Sequence, residues 1–195
     1  WIYDDAEVLH DARVYGDAAI KNTARISHNG QVFGRAQVCD AAKVDGNAKI
    51  YDNAIISENA RVGFNVKGYG NAVVYGCPDI QGDAEVFGEA KIHGEGYIYG
   101  CAQIYGHAEV FENVSVYDAA VICGNAHIFG EATIRGNAFV GGHTHVYGLA
   151  WVSDKAYIDD FAQVFDGARI YGEAAVMDMA RVYDRAEVFD HAGVY

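Results

Sequence analysis

The stretch Ala84-Glu85-Val86-Phe87-Gly88-Glu89-Ala90-Lys91-Ile92 decides the fold. It reads small, polar, branched, aromatic, glycine, acid, and then starts the same word again. A missed repeat mis-assigns a whole architecture, so periodicity is tested first. Stepping by six from Ile2 through Val8, Val14 and Ile20 to Val194 gives 33 positions, of which 32 are Val or Ile; Gly68 is the exception. Ala stands two residues before the branched position in 26 of 32 places, and Gly30, Val66, Pro78, Gly96, Val114 and Thr144 fill the others. Gly or Asp stands two residues after it, again in 26 of 32 places. The phase never slips, so no loop is inserted.

A helix cannot use this pattern, because six steps of about 100° scatter the branched residues around its surface. On a strand, residues two apart share a face, so Ala and Val/Ile point the same way. Val and Ile favour strands, and Gly-Asn and Gly-Asp pairs mark tight turns. Each hexad is therefore a short strand and a corner. Parallel neighbours need a long crossover in an ordinary sheet, but a coil supplies one. Three hexads make an 18-residue lap of a triangular prism, with laps stacked at about 4.8 Å. Compact Val, Ile and Ala fill the narrow interior, and Leu is nearly absent (Leu9, Leu149). The 195 residues give about 11 such coils, roughly 50 Å of prism. The expected fold is all-β, a triangular solenoid without inserted loops, and residues 1–195 form a single domain by continuity of the repeat.

These hexads resemble the hexapeptide-repeat, left-handed β-helix superfamily. The opening Trp1-Ile2-Tyr3-Asp4-Asp5-Ala6 and the many Ala-x-Val-Tyr-Gly-Asn/Asp words resemble the bacterial YdcK-like proteins. The likeness covers the full length. It implies a left-handed parallel β-helix; the handedness comes from the resemblance and not from the periodicity, since ordinary crossovers are right-handed. It also implies a candidate activity. Acyltransferases of the superfamily act as trimers on acyl-CoA, with a histidine base beside a loop-walled cleft, and its carbonic anhydrases place three histidines between subunits.

Net charge is −13, which argues against a nucleic-acid partner. No apolar run reaches the length that crosses a bilayer, so no membrane insertion is expected. The four cysteines, Cys39, Cys77, Cys101 and Cys123, fall in different columns of an 18-residue lap and are expected to be free thiols. That leans towards the cytoplasm, whereas a fibre would be extracellular. The chain starts without Met and opens and closes within a repeat, with bare ends at Trp1 and Tyr195. It is expected to be a segment of a longer array, or a unit that stacks end to end.

Along the chain, residues 63–80 are the least regular, with Phe64 at a Gly/Asp site and Gly68 at a branched site. Pro78 at an Ala site predicts a bulge or local edge, because Pro removes a ladder donor. Residues one lap apart share a column, which turns sequence into surface. One column reads Tyr15, Phe33, Tyr51, Tyr69, Phe87, Tyr105 and stops at Cys123; a second reads Phe111, Phe129, Tyr147, Phe165, Tyr183. A third is broken, with Tyr99, Tyr117, Tyr171 and Phe189. These rings are expected to point outward as ladders, each stacked pair contributing about 0.5–1.5 kcal/mol beyond burial. They either stiffen the prism edges or form a sticky stripe for carbohydrate or a neighbouring prism.

Glu109, His127 and His145 share another column, close enough to hold a metal or pass a proton; as surface polar residues they need no such role. Asp160/Asp178 and Asp166/Asp184 stack by column and repel unless screened or bridged by a cation. No Walker, GxSxG or CxxC motif occurs, so no cofactor is expected. Two functions compete. The first is a structural rod that spaces, adheres or assembles with itself, end to end or side by side, into a filament. The second is an acyltransferase-like enzyme. Constant six-residue coils favour the rod, because a catalytic cleft needs walls that exclude water and orient a donor.

Overall fold

The computed structural model describes all residues, Trp1–Tyr195. It holds 32 strands of two residues, one per hexad, from β1 (Glu7–Val8) to β32 (Gly193–Val194). Each pairs in parallel with the strand three hexads on, as Glu7 with Arg25 and Val8 with Ile26. The pairs form three sheets of 11, 11 and 10 strands. These are the three walls of the expected prism. The outward residues run from Glu7 to Glu187 on the first wall, from Arg13 to Gly193 on the second and from Ala19 to Arg181 on the third. Ile2 adds a bridge to Ile20 on the third. No helix is long and apolar enough to cross a membrane.

The strands are short because the backbone turns at every hexad. Every position two past the branched one has positive φ, and Gly fills half of them. That left-handed region is open to Gly and, at small cost, to Asp, Asn and His. The Gly/Asp rule of the sequence is thus a backbone rule. Asp contributes a bond as well. Its carboxylate accepts the peptide N–H of the next corner up, from Asp52 to Gly70 (3.2 Å), Asp118 to Gly136 (3.0 Å) and Asp154 to Gly172 (3.1 Å). Asp160 does the same with Asp178 at 3.2 Å, so this stacked pair is tied by a peptide donor, without needing a bridging cation.

Coils are joined by several recurring backbone bonds, including one from the residue past each corner to the corner carbonyl of the next coil, as Asn29 to Gly46 at 2.8 Å. The outward strand residue donates to the inward Ala carbonyl of the next coil, as Glu7 to Ala24 at 2.9 Å; the residue after the strand donates to the branched residue's carbonyl, as Leu9 to Ile26 at 2.9 Å. Inside, Ala and Val/Ile columns form one cluster of 51 buried residues from Ala18 to Val182. The missing side chain at Gly68 is covered by its neighbours, since the Ile50 Cδ1 lies 3.1 Å from where a Cβ would sit.

Pro78 does not make the expected bulge or edge. The N–H at an Ala site bonds within its own corner, as Ala24 to Lys21 at 3.3 Å, and takes no part in the ladder. Pro78 therefore removes no ladder donor; its carbonyl still accepts Arg61 N–H at 2.9 Å, and Arg61 stays in register with Asp79. What marks the column of Pro78, Gly96 and Val114 is wide corners: Gly76 and Gly94 have φ of 86° and 88°, the largest in the chain.

Candidate functional site

The residue that follows each strand lies at a prism edge, where side chains from successive coils meet. Tyr15, Phe33, Tyr51, Tyr69, Phe87 and Tyr105 form one continuous ladder, with centroids 4.8 to 4.9 Å apart and planes within 9°. Phe111, Phe129, Tyr147, Phe165 and Tyr183 form a second, at 4.8 to 5.3 Å. This one starts earlier than its all-aromatic run: His93 stacks under Phe111 at 5.1 Å and Tyr75 under His93 at 4.7 Å. Both share the column, so the same one-lap step finds them once His is counted as a ring. On the third edge only Tyr171 and Phe189 stack. Tyr99 turns its hydroxyl to Gln81 Oε1, at 3.1 Å.

The stacking limits the chemistry. Each inner ring has its two faces against its neighbours, so solvent meets edges and hydroxyls. One of those hydroxyls is held as a donor. Tyr69 donates to Glu85 Oε2 at 3.3 Å. Burial first, and then the Glu85 charge and hydrogen bond, push its phenol up to about 12. Glu85 is held in turn by Lys67 Nζ, 2.7 Å from Oε1. At the end of the first ladder Tyr105 neighbours Cys123, and the thiol and then burial raise the pKa of its phenol. Cys123 is buried, and burial raises its pKa, so it is a poor nucleophile.

The third wall carries Lys91, Glu109, His127, His145 and Gln163 in register. Glu109 reaches two imidazoles: Oε1 lies 3.2 Å from His93 Nε2, and Oε2 3.5 Å from His127 Nδ1. His127 and His145 stack at 5.2 Å with planes 13° apart. Parallel rings one coil apart do not aim their lone pairs at a common point, and no group of three or more His, Cys, Asp or Glu converges as a metal ion requires. His145 has its pKa lowered by burial and then by the neighbouring His127. The stripe is a run of polar side chains on an open wall, in which Glu109 pairs with His127 and His127 stacks on His145, and the coil beside it keeps its length and register.

The sequence matches no protein-family model and no curated protein. Among solved structures it is similar to a UDP-N-acetylglucosamine acyltransferase from Arabidopsis. The match has 15% identity over 88% of this chain and 67% of that one, with a TM-score of 0.33. At that level of similarity nothing about this chain's chemistry follows.

Proposed function

We propose that the chain is a structural rod, a stiff spacer or scaffold that assembles with copies of itself. The observation that carries this reading is the constancy of the coil: every strand pairs with the one three hexads on, through three sheets, without an inserted loop. A chain that spends every hexad on the wall builds length and stiffness and leaves no segment to close over a substrate. The repeat also offers a mode of assembly. A coil can present to a coil of another copy the same donor and acceptor rows that it presents to its own neighbours, as in strand addition. The ladders add edges that favour a rigid axis. An acyltransferase-like activity rests on the resemblance alone.

Electron microscopy and sedimentation of the purified chain test this. The expected particles are straight, about 50 Å long for a single copy, with longer rods in multiples of that length as concentration rises. Compact trimers that bind acyl-CoA in calorimetry would replace the rod with the enzyme.

A further inference from the structure

The first wall carries a feature that the rod does not explain. Trp151 points outward from its strand with Thr133 below and Arg169 above in register. Its faces are therefore not covered by other rings, unlike those in the ladders. It is 38% exposed, and the Arg135 guanidinium lies 5.1 Å from the ring centroid. A groove runs along each side of the Trp151 and Arg169 pair. One, of about 460 Å³, continues over Gly167 between Leu149 and Arg185. The other, of about 450 Å³, lies towards Arg135 and Tyr171. Gly167 makes the first groove a notch: Leu149 and Arg185 are its column neighbours, and between them no side chain rises.

Charge is also unusual at this place. The protein carries −13 overall, yet three arginines line the two grooves beside this indole, with Asp154 and Glu187 as the acids among the lining residues. Arg135 and Arg185 are in no ion pair, and Arg169 meets Glu187 only at 3.9 Å. Glu187 also takes the Tyr171 hydroxyl at 3.2 Å.

We propose that this groove binds an acidic sugar residue within a glycan chain. Arg135 stands over one face of the indole, and the other takes the apolar C–H face of a pyranose. Arg185, free of an acid partner, supplies a planar fork for a carboxylate. Glu187 and Tyr171 offer an acceptor and a hydroxyl to ring hydroxyls. The volume lies within the roughly 300–1,000 Å³ of small-molecule sites, and the open outer side lets a chain continue past the wall. Asp166 and Asp184 at the margin of the notch oppose a densely charged polyanion. This selects one carboxylate on a polyhydroxylated ring. The site is independent of the rod reading, since a monomer carries all of it.

Trp1 and Trp151 are the only tryptophans, so Trp1→Phe leaves Trp151 as the sole indole reporter. Maltohexaose oxidised to a uronate at a single residue, titrated into that variant, is expected to shift Trp151 emission saturably, and Arg185→Gln to weaken binding at least about tenfold. Calorimetry is expected to show the same loss for Trp151→Leu, with unchanged circular dichroism and Tm in both variants. Maltohexaose, the neutral control, is expected to bind at least about tenfold more weakly. No saturable shift at millimolar sugar overturns the proposal. So does equal binding of maltohexaose, or a loss produced by Lys43→Gln and Arg61→Gln on the same wall in place of Arg185→Gln.

Discussion

Two adjacent corners of one coil give a sharp test of the backbone rule. Aspartates at corners hold φ between 56° and 61°. Gly88 has φ 71°, and a Cβ built on it would lie 3.0 Å from Gly106 N. Gly94, one hexad on, has φ 88°, and its Cβ would lie 2.5 Å from Glu112 N and 2.7 Å from Glu112 Cα and O. Asp at position 88 needs only a small rotation and a few tenths of an ångström from its neighbour. Its carboxylate would then face the Gly106 N–H, as Asp52 faces that of Gly70. The left-handed penalty of about 1 kcal/mol is offset by a bond of about 0.5–1.5 kcal/mol, so Gly88→Asp is expected within about 1 kcal/mol of neutral. Asp at position 94 meets backbone, which no rotamer relieves. Its left-handed penalty is joined by an overpacking cost of about 1–3 kcal/mol, giving a loss of about 2–4 kcal/mol. Urea denaturation followed by far-ultraviolet circular dichroism measures both. Hydrogen exchange is expected to rise around Glu112 in the Gly94 variant, because each coil is held by its immediate neighbours. Equal losses for the two variants, or a larger loss at Gly88, would refute this account of corner spacing.

Other substitutions probe the interior and the edges. Thr144 is fully buried and its Oγ1 has no hydrogen-bond partner; Thr144→Val is expected to stabilise by about 1 kcal/mol in urea melts. His145 titrates below its ordinary 6.5, chiefly through burial, so the unfolded chain takes up a proton first as pH falls. Stability is therefore lost on acidification below about 6.5 and levels off beneath the folded-state pKa; His145→Gln is expected to flatten that part of a urea-midpoint profile. Cys77 and Cys101 are exposed, while Cys39 is half-buried and Cys123 buried. A thiol reagent is expected to label two sites quickly, and burial-raised pKa values make Cys39 and Cys123 slower still. Glu85→Gln removes the charge and weakens the bond that help hold Tyr69 near 12. Ultraviolet titration is expected to show Tyr69 ionising earlier in that variant, while burial keeps it above ordinary tyrosine.

The inward positions were legible because one physical demand acts on each of them. A narrow tube admits Ala beside the corner and Val or Ile on the wall. The coil therefore followed from the recurrence, at every sixth residue, of the word that Ala84, Val86 and Gly88 spell, and the three sheets hold the same three-hexad register throughout. Pro78 misled because its effect depends on which bond its N–H would make, and the bond at that site closes a corner and not a ladder. The ladders were legible as columns, but their consequence was not. That Tyr51 has both faces covered needs the 4.9 Å spacing and the 3° tilt, which letters do not carry. His93 was passed over because only Phe and Tyr were counted as rings in that column, whereas here it stacks between Tyr75 and Phe111 and also meets Glu109.

The same coil spacing separates support from recognition. Where like rings follow one another on every lap, they spend their faces on each other, and the edge gains stiffness while losing the surface on which a sugar could lie. Recognition therefore belongs where the column changes kind. Trp151 sits between a threonine and an arginine, so its faces meet no neighbouring ring. Gly167 sits between a leucine and an arginine, so the wall is notched there. Neither change disturbs the inward residues beside it: Ala150 and Val152 next to Trp151, and Ala168 and Ile170 next to Gly167, stay fully buried. A solenoid of this kind can vary its outward letters without cost to its core. Breaks in an outward column, more than the longest unbroken stripe, are the places to look for a ligand.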